Sequence, residues 1–252
     1  MIFHILNGDC LFNNFKETQL NGQTIICRET LIEGTYLGAN LKEFWITRAN
    51  YIHHNYGENI DNYNKNVKSE FEKIINSPPK SELNLWFGYD LFCQVNLWFI
   101  LSLISDRTKD DETYLIYPFH LDGDKVWDEY STAKKDELIS CFKQRIKLSK
   151  ENIELGKKLW YAYKDNSLTE LQKLSQNESE CFPNLKEVIK AQIDRTQFND
   201  VMSRPEFVIK DIMKTKPDDF LTVFREFIKR DPIYGFTDLQ LRKMYDNVKN
   251  QQ

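Results

Sequence analysis

The chain has 252 residues, 41% of them hydrophobic and 29% charged, with only 9 Gly and 7 Pro. That length allows one large domain or two modest ones, and the composition excludes a disordered or low-complexity chain and argues against an all-β sandwich or propeller. The net charge of -4 hides an uneven split, 11 Lys+Arg against 17 Asp+Glu in residues 1–125 and 23 against 21 in the remainder; an acidic first half without a basic stripe argues against nucleic acid as a partner.

Four apolar runs of strand length come first: Ile2–Leu6, Thr24–Cys27, Leu83–Phe87 and Thr113–Tyr117. Each is followed by a polar or helical segment, which predicts an α/β domain with a largely parallel, Rossmann-like or flavodoxin-like sheet. Helical spacing of Phe44 and Ile52, and of Val67, Phe71 and Ile74, predicts helices over Leu41–Tyr56 and Asn62–Ile75, the second stopped by Ser77-Pro78-Pro79. The turn former Asp122-Gly123-Asp124 puts the edge of the α/β unit near residue 125, giving units 1–125 and 126–252. The second unit is expected to be all-α, with helical stretches over 133–144, 150–164, 168–175, 184–194, 205–214, 218–229 and 237–249. Ser149, Ser167 (with Glu170 three residues on) and Thr237 stand where N-caps belong, and Arg204-Pro205-Glu206 marks a helix start. Trp160, Tyr161 and Tyr163 are expected to fill the helical core.

Five cysteines (Cys10, Cys27, Cys93, Cys141, Cys181), widely spaced and set in apolar runs, look like reduced thiols and lack zinc-site spacing. The longest apolar stretch, Leu91–Ile104, is interrupted by Gln94 and Asn96 and is too short to span a membrane. No secretory signal opens the sequence, so the expected location is the cytoplasm.

In an open parallel sheet, ligands bind outside the carboxyl ends of the strands. There the sequence places Asn7-Gly8-Asp9 after the first strand, Arg28-Glu29 after the second and Gly88-Tyr89-Asp90 after the third, with Cys93 and Gln94 one turn further. An arginine among carboxylates can hold an anion, and paired carboxylates can hold Mg²⁺ or share acid and base roles. Each piece also has a structural reading: Asp9 as the N-cap of a strand-to-helix turn, Arg28 and Glu29 as a surface ion pair, Asp90 and Gln94 as N-cap and core amide, and Arg48, three residues from Trp45, as a surface side chain rather than one reaching the crevice. No GxGxxG or Walker pattern follows the first strand. His4 reads as a core histidine, His53-His54 as a complement to a helix end, and Cys93 as inert packing.

The segments HILNGD (His4–Asp9), CRETLIEG (Cys27–Gly34), FWITRA (Phe44–Ala49) and LWFGYDLFCQVNLWF (Leu85–Phe99) occur in this order. They resemble the bacterial domain-of-unknown-function family eighteen thirty-five, whose members show a strand ending in NGD, a CRE or WRE followed by a Gly, a W-x-x-R-A helix and an LWF-E-x-D-L-F-x-Q segment. The likeness spans about residues 1–120 and implies no activity; Gly88 stands where many relatives carry an acidic residue. The segment IYGFTDLQLRKMYD (Ile233–Asp246) resembles the helical tail that accompanies this domain and looks winged-helix-like, although 10 basic against 9 acidic residues over 200–252 is too balanced for DNA binding.

These readings converge on a small anionic ligand, a nucleotide or phosphorylated metabolite, held by Asn7, Gly8, Asp9, Arg28, Arg48 and Gln94 and covered by the helical half. For hydrolysis or group transfer, Arg28 would clamp the anion while Asp90 or Glu29 serves as base or Mg²⁺ ligand. The alternative is a regulatory protein whose C-terminal helices bind a partner protein or DNA.

Overall fold

Five strands form a single sheet in the order β2-β1-β3-β4-β5, with β1 at Ile2–Asn7, β2 at Gln23–Cys27, β3 at Glu82–Trp86, β4 at Glu112–Ile116 and β5 at Ile146–Lys147. This computed structural model describes residues 1–106, 111–118, 126–127, 130, 133–196, 198, 202–216 and 219–251. The expected Asp122-Gly123-Asp124 turn and the unit boundary beside it lie outside the described residues. The first four strands are parallel and β5 is antiparallel to β4. The parallel part has the flavodoxin-like order, so the chain reverses its direction of travel across the sheet between β1 and β3.

The first four strands are mainly apolar, with His4, Asn84 and Thr113 as buried polar residues, because both faces of the sheet are covered. Ile25, Ile5, Leu85 and Leu115 stand in register across β2, β1, β3 and β4 and enter the larger core. Leu6, Trp86 and Ile116 point the other way, under α1 (Asp9–Phe15) and α6 (Lys135–Lys143). His4 lies on that smaller face and is a core histidine, as expected: its Nδ1 accepts from Trp86 Nε1 at 3.2 Å, its Nε2 lies 3.1 Å from the Asn21 carbonyl, and burial lowers its pKa.

The larger face carries α2 (Leu41–Tyr56), α3 (Ile60–Tyr63), α4 (Ser69–Ile75) and α5 (Leu91–Ile104). Between α3 and α4 the chain stays helical through a π segment at Asn64–Lys68, so the expected helix over Asn62–Ile75 is present with one widened turn. An aromatic cluster knits these helices together: ring centroids of Phe44 and Phe99 are 4.9 Å apart, and those of Trp45 and Phe71 are 5.1 Å apart. Trp160 joins it at 4.8 Å from Phe99, carried by α7 (Lys150–Lys164).

The second half continues with α8 (Leu168–Leu174), α9 (Leu185–Thr196), α10 (Arg204–Thr215), α11 (Phe220–Arg230) and α12 (Asp238–Asn250). Ser149, Ser203 and Thr237 cap their helices through capping boxes. Four expectations need correction. The second half is not all-α, because β5 adds a fifth strand to the sheet. Ser167 occupies the N-cap of α8 without a side-chain cap bond, and Tyr161 is 48% exposed while Trp160 and Tyr163 are buried. The tail is helical, but no strand accompanies α10–α12 among the described residues, so of the winged-helix-like expectation only the three helices are present.

The larger core is one cluster running from Phe3 to Val248. None of the five cysteines is in a disulfide, and Cys10 alone of them is exposed. No helix among the described residues is long and apolar enough to cross a membrane. The outer edge of β2 is not bare: Glu70 on α4 accepts a hydrogen bond from the Ile26 backbone N–H at 2.9 Å.

Candidate functional site

At the end of β1 the chain turns on Gly8, whose φ of 90° a side chain would rarely adopt, and enters α1. Gly8 is the N-cap, so Asp9 is the first helical residue and not the expected cap. Its carboxylate reaches across to Arg28, just beyond β2. Arg28 Nε donates to Asp9 Oδ2 and Nη2 to Oδ1, both at 2.7 Å, while Nη1 donates to the Asn66 carbonyl at 2.9 Å. The Asp9 hydrogen bonds raise the Arg28 pKa. Both side chains meet solvent, Arg28 at 30% and Asp9 at 56% relative exposure. Asn66 lies in the π segment, a distortion of the helical ladder that recurs at functional sites.

Glu29 faces the other way and its side chain is fully enclosed. Arg48 Nε donates to its Oε1 at 3.0 Å and Nη2 to its Oε2 at 2.8 Å. The Thr30 backbone N–H also donates to Oε2 at 2.7 Å, and the Tyr63 hydroxyl donates to Oε1. Burial opposes the Arg48 charge, but the adjoining Glu29 carboxylate holds its pKa above the ordinary value. Arg48 Nη1 spans on to the Glu33 carbonyl at 2.8 Å. Gly34 makes room for it, since a Cβ there would come within 2.3 Å of that nitrogen. Arg48 is therefore neither the surface side chain nor the ligand arm of the sequence reading; it neutralises a carboxylate that would be costly to bury alone.

Asp90 and Gln94 take their structural roles. Asp90 is the N-cap of α5, accepting from Cys93 N at 2.9 Å, and is fully buried. Burial pushes its pKa up to about 6, and its Oδ2 has no hydrogen-bond partner among the described residues. Gly235, at φ 63°, presses on it so closely that a Cβ would stand 2.1 Å from Oδ1. Gln94 Nε2 donates to the Gly88 carbonyl at 2.8 Å and to the Tyr117 hydroxyl at 3.3 Å, holding the turn after β3.

A cavity of about 770 Å³ opens at the carboxyl ends of β1 and β2, beside the point where the sheet changes direction. Asn7, Gly8, Asp9, Arg28 and Glu29 line it; Arg48, Asp90 and Gln94 do not. Ile52, Tyr56, Glu58, Asn62, Tyr63, Asn66 and Val67 form the wall from α2 to the π segment, Phe92 approaches from α5, and Thr237 and Leu239 border it from the C-terminal segment. Gln240 Nε2 donates to Thr30 Oγ1 at 2.7 Å and Lys243 Nζ to Asn55 Oδ1 at 3.1 Å, which fastens α12 beside the cleft.

In the sequence Asn96 stands out only as an interruption of an apolar run. Its Nδ2 donates to Asn7 Oδ1 at 3.2 Å and to the Glu29 carbonyl at 2.8 Å, and its Oδ1 accepts from Leu31 N at 3.2 Å, tying the ends of β1 and β2 to α5. Asn7 also donates to Cys93 Sγ at 3.0 Å. Against the Mg²⁺ reading, Asp9, Glu29 and Asp90 are each engaged by a different partner, Arg28, Arg48 and the Cys93 amide. Among the described residues no group of three or more His, Cys, Asp or Glu is placed to hold a metal ion. No family model, curated protein or solved structure matches the chain.

Proposed function

We propose that this protein binds a small anionic ligand, a nucleotide or a phosphorylated metabolite, in the cleft at the carboxyl ends of β1 and β2. The observation that carries the reading is the partly exposed Arg28 guanidinium in the wall of a ligand-sized cavity beside the direction change of a parallel sheet, where such folds bind ligands. The reading is one of binding rather than turnover. Glu29, the candidate base that lines the cleft, has both oxygens engaged by Arg48, Thr30 and Tyr63, and Asp90 lies outside the cleft.

We also take the chain as a relative of domain-of-unknown-function family eighteen thirty-five, and hence bacterial. Support comes from the way its motif residues meet: Glu29 and Gly34 of CRETLIEG close around Arg48 of FWITRA, and Asn96 of the fourth segment bonds Asn7 of the first. Five cysteines without a disulfide among them favour a reducing compartment such as the cytoplasm.

The test is thermal unfolding against a panel of nucleotides and phosphorylated metabolites, with Arg28→Ala as control. A ligand of the native state raises the midpoint, by about 2.7 kcal/mol of stability at a hundredfold excess over Kd. Arg28→Ala is expected to unfold within about 1 kcal/mol of the wild type without ligand, since an exposed pair contributes little, and to lose the ligand-induced shift. A shift that survives in the variant places the ligand elsewhere. A second reading, an interaction protein, draws on Leu221 and Ile228 of α11, 61% and 40% exposed; a panel without any shift would favour it.

A further inference from the structure

We propose that the cleft selects a ligand with one oxyanion group, a carboxylate or a phosphate monoester, on an otherwise uncharged body, and that Asp9 is the specificity gate the ligand must displace. This rests on the reading of the cleft as an anion site and narrows it.

The charged residues lining the cleft are the cation Arg28 and the acids Asp9, Glu29 and Glu58, of which Glu29 has its side chain enclosed. Arg48 neutralises Glu29 from behind, which leaves one cation facing two carboxylates. One oxyanion can be matched by Arg28. A second or third phosphate would find no cation in the lining and would stand near Asp9 and Glu58, an unfavourable placement in a partly desolvated site.

The Arg28 fork is divided between two partners. One edge of the guanidinium is spent on the Asn66 carbonyl, and the other, Nε with Nη2, holds the two oxygens of Asp9 at 2.7 Å each. That is the bidentate arrangement in which arginine takes a carboxylate or a phosphate. The Asp9 carboxylate thus stands where a ligand oxyanion would dock, as an internal competitor. It is also easily moved: the pair is partly solvated, Asp9 hangs from the first residue of α1, and the space where a Gly8 Cβ would lie is open. The remaining wall suits a compact organic body, with Ile52, Val67, Phe92 and Leu239 as apolar contacts and the Tyr56 hydroxyl shielded from solvent without a hydrogen-bond partner among the described residues.

Titration calorimetry on the full chain tests this with benzoate, phenyl phosphate, AMP, ADP and ATP as probes, each against wild type, Asp9→Asn and Arg28→Ala. The probes with a single oxyanion group are expected to bind wild type, and affinity should fall from AMP to ADP to ATP. Asp9→Asn, which keeps the shape but removes the competing charge, should tighten the single-oxyanion probes by about two- to fivefold; Arg28→Ala should abolish their binding. Benzoate against phenyl phosphate tells which oxyanion is preferred. Affinity that rises with phosphate number, or that Asp9→Asn leaves unchanged or weakens, overturns the gate while leaving the anion site standing. Absence of binding by every probe to all three proteins overturns the anion site and the gate together.

Discussion

Enclosing a carboxylate with a guanidinium, as Glu29 is enclosed with Arg48, costs free energy that only close mutual contact returns. Sequence reasoning saw both residues but could not see that chain alternation after β2 turns Arg28 outward and Glu29 inward, so that one neighbour keeps a solvent-facing fork and the other becomes part of the core. Asp90 shows the same effect of burial on a single group. Its folded pKa of about 6 lies above the ordinary 3.8, so between those values the folded state holds a proton that the unfolded chain has released. The stability this group contributes is therefore complete below about pH 4 and lost as pH rises through about 6. Asp90→Asn keeps an acceptor for the Cys93 amide without the charge. It is expected to match wild type near pH 4 and to exceed it by about 3 kcal/mol at pH 7 in urea unfolding, taking 1.36 kcal/mol per pH unit. An equal difference at both pH values would show that the carboxylate charge is not the cause.

At the scale of elements the sequence was most legible where periodicity and caps agree. Leu41–Tyr56 and Lys150–Lys164 have the bounds that their patterns predict, because apolar spacing and a polar cap specify a helix locally. What the pattern could not reveal is which helices touch. A glycine inside a helix ordinarily weakens it, yet Gly156 is where α7 meets α5: a Cβ would come within 2.3 Å of Leu101 Cδ1 and 2.9 Å of Leu101 Cβ. At an exposed helix position Gly→Ala gains about 1 kcal/mol. Here the overpacking, about 1–3 kcal/mol, outweighs that gain. Gly156→Ala is expected to lower the thermal midpoint by a few degrees; a raised midpoint would show that Leu101 yields without cost.

For the whole molecule, the continuous core from Phe3 to Val248 predicts that both halves unfold together. Far-ultraviolet circular dichroism and tryptophan fluorescence should then report one coincident urea transition, although 252 residues exceed the size at which such behaviour is usual. Two separated steps would show that 1–125 and 126–252 are independent folding units. The parallel sheet was readable from strands alternating with helices, and the candidate cleft from the polar residues after the first two strands. The strand order, β5 and the seating of α12 beside Thr30 were not, since each rests on contacts between residues far apart in sequence.

The Glu70 carboxylate on the Ile26 amide acquires a further meaning at this scale. Sheets are exposed to self-association at their margins, where unsatisfied amides recruit strands from other copies. One margin here presents an amide already taken by a side chain, and the other ends in a strand of two residues. The Ile26 amide is thus withdrawn from pairing with another chain, and β5 leaves only two residues of ladder at the opposite margin, both features that limit edge-to-edge association.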